Sequence, residues 1–494
     1  MKTLDVQNNQ LFDREAIQFS EKEEFQKTVS EILANGGRMI ALTPVDVSDH
    51  QKIIAVFADP NSSLISIMGG NFSDGKPEFE SWANEFPQTN YFECELSENY
   101  GYLPINHPWL RPVRKQIHLA GLGNKPYQFF KLEGEEVHEV AVGPIHAGVI
   151  EPGHFRFQCH GELVYNLEIN LGYQHRGVEK LLLQANPNQR IILSESIAGD
   201  TTIGHTLAHC NAIESLSQTQ LSLRAEVIRA VASEIERVAM HLSGLGGIAN
   251  DVGFALPASS YGRLRTLAIN SLALICGSRF GRGLLLYGGV RYDLNDEIIN
   301  SLTNNLKIVQ NDVRQINEYL FSSVGALSRF EETGIVKKEL AQSVGLVGFA
   351  ARSCGIEEDV RIHFPFGAYR YNPVSIITLS SGDVFARARL RAMEIDESLR
   401  FIFDQLENLP RGEIKSGVQN ISANSGVVSM VEGWRGEIIH IAFSDENGNL
   451  VQYKIKDPSF NNWYGLSLAL RETAISDFPL CNKSFDLSYA GHDL

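Results

Sequence analysis

Three stretches of this 494-residue chain carry the side chains best suited to chemistry. Gly143-Pro144-Ile145-His146 runs on to Glu151-Pro152-Gly153-His154-Phe155-Arg156, setting two imidazoles and a carboxyl around a proline-punctuated turn. Glu195 to His205 places Asp200 and Thr201 just ahead of an imidazole, and Asp457-Pro458-Ser459-Phe460-Asn461-Asn462 adds a carboxyl, a hydroxyl and two amides. Side chains of these types can move a proton or hold a polar ligand; His154 and His205 fit that role or the plainer one of hydrogen-bonded structural histidines. Thiolate chemistry is another matter, because none of the three stretches contains a cysteine. The six cysteines, Cys94, Cys159, Cys210, Cys276, Cys354 and Cys481, are scattered along the chain. That spacing gives neither a zinc site nor an iron-sulfur ligand run, and the low density fits a reducing cytosol with the thiols buried as small hydrophobes.

The elements that must position these stretches follow from periodicity. Phe25, Val29 and Ile32 recur at helical spacing. Short β-rich runs come next at Met39 to Leu42, Ile53 to Phe57 and Leu64 to Met68, broken by turns such as Asp59-Pro60-Asn61 and Asp74-Gly75. The proline-punctuated segment from Leu103 to Pro112 closes a small α+β unit, residues 1–116, and residues 117–138 read as a linker across a protein surface. The remainder, residues 139–494, opens with β-rich sequence from Val140 to Leu167 and continues in long helices. Leu221, Ala225, Ile228, Ala232, Ile235, Ala239 and Leu242 share one helical face; so do Leu306, Val309, Val313, Ile316 and Leu320, and again Phe385, Ala388, Ala392, Ile395, Leu399 and Ile402. Three apolar stripes imply a bundle core. Arg387, Arg389, Arg391 and Arg400 lie on the third of these helices and read as its solvated face, with docking of an acidic partner surface as the alternative. From Gly433 to Lys456 apolar and polar residues alternate around Asn447-Gly448, the signature of a two-residue hairpin. The expected fold class is α+β: a small N-terminal α+β domain, then a mainly helical bundle domain with small β elements.

A formal net charge of −16 argues against nucleic acid and anionic lipid as partners and leaves proteins. The start, Met1-Lys2-Thr3-Leu4-Asp5, lacks a signal-peptide core, and no stretch reaches the roughly 18 uninterrupted apolar residues needed to span a bilayer. The nearest candidate, Leu267 to Leu286, is interrupted by Arg279 and Arg282 and reads as a buried helix pair in a soluble protein.

Further segments occur in a fixed order with the three stretches: Gly172-Tyr173-Gln174-His175-Arg176-Gly177-Val178-Glu179-Lys180, then Glu236-Arg237 to Asp251-Val252-Gly253, then Ala351-Arg352-Ser353-Cys354-Gly355. Taken together they resemble the large subunit of group 4, membrane-bound nickel-iron hydrogenases of the hydrogenase-3 and hydrogenase-4 type, and the related D-type subunit of NADH-quinone oxidoreductase. The resemblance is weak over the first hundred residues and strong from Val140 onward, and it implies a domain like the oxidoreductase's C-type subunit fused in front of one like its D-type subunit. In those hydrogenases the second stretch reads Cys-x-x-Cys-x-x-x-His and the third Asp-Pro-Cys-x-x-Cys, supplying four thiolates to nickel and iron. Counting back from His205 and on from Asp457 puts Ala198, Thr201, Ser459 and Asn462 at those four positions. Alanine has no donor atom and the other three are poor substitutes for soft, bridging thiolates, so no metal is expected in this chain.

The resemblance also assigns roles. Glu151 falls at a proton-relay glutamate, with a turn cap before Pro152 as the alternative, and His146, His154 and His205 would join it in the relay or line the cavity. Asp200 falls between two vacated ligand positions. With Thr201, Asp457, Ser459 and Asn462 it either lines a pocket for water, a hard cation or a polar headgroup, or fills the space by mutual hydrogen bonding. The D-type subunit holds quinone with a tyrosine in the first frame and a histidine in a Gly-Pro-x-His-Pro-x-x-His loop; here Ala198-Gly199 lies near the tyrosine, Ile150 replaces the second histidine, and only His146 remains. His175-Arg176 with Glu179-Lys180 would form a charged cluster toward a partner or an ion-paired helix start. The implied partners are a small subunit carrying the iron-sulfur cluster and membrane subunits that translocate protons or sodium, with quinone as a candidate ligand and NAD among the molecules the whole complex would use. The chain itself would bind no cofactor and sit peripherally on the cytoplasmic face of the membrane. Three functions stay open: redox chemistry in the complex with quinone or another acceptor in the vacated cavity, a redox-silent scaffold or coupling element, and a metallocentre with unexpected ligands.

Overall fold

The computed structural model describes residues 3–72, 77–115, 127–146 and 150–494. The Asp74-Gly75 turn, the boundary at residue 116 and linker residues 117–126 lie outside them. The protein is α+β. Near the N-terminus the helix Lys22–Ala34 buries Phe25, Val29 and Leu33, with Ile32 half-buried beside them. It covers an antiparallel sheet of Arg38–Asp46, Asp49–Asp59 and Leu64–Asn71. Leu4–Val6 and Phe19–Glu21 share the free edge of Leu64–Asn71, the first antiparallel and the second parallel. The apolar residues of this segment divide: Phe25, Val29, Phe57 and Met68 belong to a cluster of its own that Phe460 joins, whereas Val6, Phe12, Ile54 and Ile67 belong to the same cluster as Phe155, Ile228 and Phe443.

A second sheet of Ser425–Glu432, Glu437–Ser444 and Leu450–Lys456 is antiparallel throughout, and Phe12–Asp13 adds a fourth strand to its edge. The alternating sequence suggests one wet face, yet every residue of the first two strands is buried. Contacts to the helix Thr202–Leu216 and to the strand Arg38–Asp46 account for this. Several polar side chains of the sheet bond to protein groups: Gln452 donates to Thr43 and Pro44, and Glu437 pairs with Arg38 and Lys456. The hairpin forms at Asn447-Gly448, but its loop is longer than two residues. Asp445 accepts from the backbone of Asn447 and Asn449, both at 2.8 Å, and organises it.

Four long helices, Leu223–Asp251, Ala255–Cys276, Asp296–Ser322 and Val384–Glu407, make the bundle. The first contacts the second and fourth, and the second contacts the third. Ala225, Ile228, Ala232, Ile235, Ala239 and Leu242 are fully buried, as are Leu306, Val309, Val313 and Leu320; each larger side chain contributes about 1.5–3 kcal/mol. Leu267 to Leu286 is not a helix pair. One helix ends at Gly277, in the left-handed region at φ 77°, and leads to a short ribbon, Leu285–Leu286 with Gly289–Val290. The arginine run is likewise not a solvated face. Arg387 and Arg391 are 0 % exposed, one turn apart on the side facing Phe478–Phe485. Arg387 donates to Ser484, Gly382 and Gly334, and Arg391 lies 4.0 Å from the Phe349 ring centre. Only Arg400 of the four is exposed.

Candidate functional site

The helix Thr202–Leu216 starts inside the first vacated frame, directly after its second ligand position, and the Thr201 side chain does not cap it. Its first turn is fixed from the neighbouring helix, where Glu236 accepts from the backbone of Ile203 at 2.7 Å and Gly204 at 3.1 Å. A carboxylate at a helix N-terminus is favourable there. Burial pushes the Glu236 carboxyl up to about 8 against the pull of those two donors. His205 follows directly, so its imidazole direction is set by that anchor.

The sequence reading missed the group at the centre of the site. Arg435, in the turn between Ser425–Glu432 and Glu437–Ser444, grips both carboxylate oxygens of Asp200 at 2.7 Å. It also donates to Thr201 Oγ1 at 3.2 Å and to the Asp486 carbonyl. Trp434 beside it donates from Nε1 to the Asp200 carbonyl at 2.9 Å and to Thr201 Oγ1 at 3.1 Å. Two glycines allow the turn to sit there: Gly436 at φ 137° and Gly348 at φ 65° pack backbone against backbone. Val347, next to Gly348, is held by the Asn462 amide, which accepts from its N–H at 3.0 Å and donates to its carbonyl at 3.1 Å. Arg435 thus links the two frames, with Asp200 and Thr201 on one side and Asn462 reached through Val347 and Gly348 on the other.

The remaining positions are also committed. Ser459 Oγ accepts from Ser488 N at 2.9 Å, its own N–H donates to Asp457 at 2.7 Å, and Ala198 presents a buried methyl. Ala198, Thr201, Ser459 and Asn462 are each at most 1 % exposed. The polar atoms at these positions are neutral oxygens or amides already bonded to protein, and the guanidinium beside them is a cation. This donor set does not fit a nickel-iron centre, which needs anionic sulfur. A cavity of about 600 Å³ lies elsewhere and is lined by residues including Asn8, Asn211, Glu214, Arg229 and Tyr369.

The structure joins His205 to Asp457, Nε2 to Oδ2 at 3.0 Å, and extends that pair through residues the sequence did not single out: His440, Tyr453, His209 and Tyr287. Burial disfavours charge on Asp457, but the hydrogen bond from His205 and the nearby Arg435 outweigh it and hold the carboxyl below its usual range. Burial keeps His440 neutral, helped by the adjacent imidazoles, and pushes His209 down to about 3. In the unfolded chain His209 takes up a proton as pH falls through about 6.5; in the folded chain it does not until about 3. Its contribution to stability is therefore complete above pH 6.5 and shrinks as pH falls through that window. The stability gap between wild type and His209→Gln should narrow by up to about 1.4 kcal/mol per pH unit below pH 6.5, read from urea unfolding midpoints.

Glu151 is half-buried, which raises its proton affinity, and its Oε2 accepts weakly from Ala490 N at 3.4 Å. Asp200 raises that affinity further and Arg435 opposes it, so Glu151 feels the central group's charge. His146 and His154 contact the backbone of their own turn instead, at Pro144 and Gly143, both at 3.3 Å. Arg176 donates to the carbonyls of Ser196, Ile197 and Ala490, while Glu179 pairs with Lys454 at 2.9 Å. Those residues tie the first frame to the C-terminal segment.

Residues 251–427 and 418–493 match the family described as respiratory-chain NADH dehydrogenase, 49 Kd subunit. The chain is 28% identical over 436 residues to hydrogenase-4 component G of Escherichia coli (strain K12), spanning 84% of this chain and 76% of that protein. It is 27% identical over 364 residues to the membrane-bound hydrogenase subunit alpha of Pyrococcus furiosus, 70% of this chain and 85% of the other. A third relative, the NADH-quinone oxidoreductase C/D subunit of Bacteroides thetaiotaomicron, is 27% identical over 418 residues, 77% and 78% of the two chains.

Proposed function

We propose that this chain, which is related to the 49 kDa subunit of NADH dehydrogenase and to subunits of membrane-bound hydrogenases, works without a nickel-iron centre of its own and couples redox chemistry in a partner subunit to ion translocation. The observation that carries this reading is the arginine bridge: Arg435 holds Asp200 and Thr201 in the first frame, and Asn462 of the second frame is bonded to Val347 next to it. A site filled by a guanidinium and its carboxylate can transmit force between two segments, and it has no soft ligand to offer a redox metal. The same commitment of polar atoms favours a coupling element over quinone binding at this spot. Electrons would run through an iron-sulfur cluster in a small partner subunit, and ions through membrane subunits. Among the described residues no helix is long and apolar enough to cross a membrane, in keeping with a peripheral position, which we place on the cytoplasmic face.

Isolation from membranes in mild detergent through a tag on this chain tests the reading. The expected result is co-purification of a small subunit with cluster cysteines and of multispanning subunits. Recovery of this chain alone, or with a partner lacking cluster cysteines, would refute the coupling of redox chemistry to ion movement.

A further inference from the structure

Six buried or half-buried side chains form one unbroken hydrogen-bonded line through the interior. Tyr287 Oη meets His209 Nε2 at 2.7 Å, and His209 Nδ1 meets Tyr453 Oη at 2.5 Å. Tyr453 Oη meets His440 Nδ1 at 2.8 Å, His440 Nε2 meets His205 Nδ1 at 3.2 Å, and His205 Nε2 meets Asp457 Oδ2 at 3.0 Å. His205, His209 and His440 are 0 % exposed and Tyr453 and Asp457 1 %, whereas Tyr287 is half-buried in the turn of the Leu285–Val290 ribbon. A role confined to packing does not call for three imidazoles and two phenols in series.

With His205 neutral, the chemistry of the groups permits one ordering of the protons. An ionised Asp457 can only accept, so a neutral His205 donates from Nε2 and accepts at Nδ1. His440 then donates from Nε2 and accepts at Nδ1 from the Tyr453 hydroxyl. Tyr453 in turn accepts from His209 Nδ1–H, and His209 Nε2 accepts from the Tyr287 hydroxyl. In this ordering every donation points from the half-buried phenol of Tyr287 toward the buried carboxylate.

We propose that this line is a proton wire between solvent at Tyr287 and the Asp457 carboxylate beside the Arg435 bridge. A proton arriving on Tyr287 Oη releases that phenol's own proton to His209 Nε2. The His209 Nδ1 proton passes to Tyr453, the Tyr453 proton to His440 Nδ1, the His440 Nε2 proton to His205 Nδ1, and the His205 Nε2 proton to Asp457 Oδ2. One proton enters, one appears on the carboxylate, no electrons move, and the reverse shift restores the starting order. Arg190 faces the outer end near His209 and Tyr287, Cys210 and Glu214 flank the phenols, and Arg435 faces Asp457 at the inner end. A proton delivered to Asp457 would cancel a negative charge that Arg435 now shares with Asp200. The inference stands on the hydrogen-bond line alone and does not depend on which complex the chain joins.

The test is nitrogen-15 NMR on the full chain labelled in histidine, at neutral pH. The ordering requires Nε2–H on His205 and His440 and Nδ1–H on His209. Ring-proton exchange with water should be slowed at all three imidazoles by Tyr287→Phe. With Tyr453→Phe it should slow at His205 and His440 while His209 stays fast, each loss being on the order of a hundredfold. A packing role would not give a change that starts at the break. Nδ1–H on His440, or exchange at His440 unchanged in both folded variants, would overturn the wire. If Tyr453→Phe does not fold, Tyr287→Phe at the half-buried outer end decides alone, since unchanged exchange at His209 in that variant contradicts the proposal.

Discussion

Arg352→Met is expected to lower folding stability by about 3–5 kcal/mol, read as a fall in the urea midpoint at unchanged slope. Arg352 is 0 % exposed and serves three carboxylates at once: Glu394 at 2.8 Å, Glu432 at 2.8 Å and Asp359 at 3.3 Å. A methionine would fill most of the volume and leave those carboxylates short of a cation in a place water does not reach. The group continues through Arg361, which bonds Asp359 and Glu234, and Glu234 also accepts from Arg237, Ser398 and Tyr369. Despite burial, which alone would raise it, Glu234 is held at about 2 by Arg237 and Arg361. The helices Leu223–Asp251 and Val384–Glu407 are therefore joined by charge as well as by their apolar stripes. A loss under about 1 kcal/mol, the scale of an exposed pair, would show that the carboxylates find other partners.

Gly348→Ala should cost about 3 kcal/mol or more, and should loosen the arginine bridge at the same time. A Cβ at Gly348 would stand 2.1 Å from the Arg435 carbonyl oxygen and 2.3 Å from Gly436 Cα, and both neighbours are backbone that cannot rotate away. The residue also sits at φ 65°, where an L side chain is strained. Relief requires the Trp434-Arg435 turn to move, which pulls Arg435 off Asp200. Alanine at Gly417, where a Cβ would meet nothing within 4 Å, should change stability by less than about 0.5 kcal/mol and serves as the control. Equal effects at the two sites would remove the basis for calling the Gly348–Gly436 contact a positioning device.

Much of the helical architecture was legible because burial on a helix repeats along the chain: Ile228, Ala232, Ile235 and Ala239 declare their face without outside help. The three-strand sheet was less so, because its polar residues do not face water. His440, Gln452 and Lys454 read as an outward face, and their partners, His205, Thr43 and Glu95, come from distant parts of the chain. The same long-range pairing hid Arg435, whose bond to Asp200 spans 235 positions. A local signal did exist in Gly433-Trp434-Arg435-Gly436, an aromatic and a cation held between two glycines, and it was absorbed into the strand pattern. Arg387 and Arg391 were misread for a related reason. Charge normally means solvent, but here the carbonyls of Gly334 and Gly382 and the hydroxyl of Ser484 satisfy one guanidinium, and an aromatic face covers the other. His146 and His154, paired with Glu151 on sequence grounds, meet nearby backbone and aromatic rings among the described residues: His146 lies at Pro144 and the Phe155 ring, His154 at Gly143 and the Phe129 ring.

Nickel content, measured by plasma mass spectrometry on the material isolated through this chain and washed with a chelator, tests most directly whether the chain works without a nickel-iron centre, as proposed. With Ala198, Thr201, Ser459 and Asn462 in place of four thiolates, the expected result is less than about a tenth of a nickel atom per chain, with iron present if the proposed cluster subunit co-purifies. One nickel atom per chain, retained through the chelator wash, would contradict it.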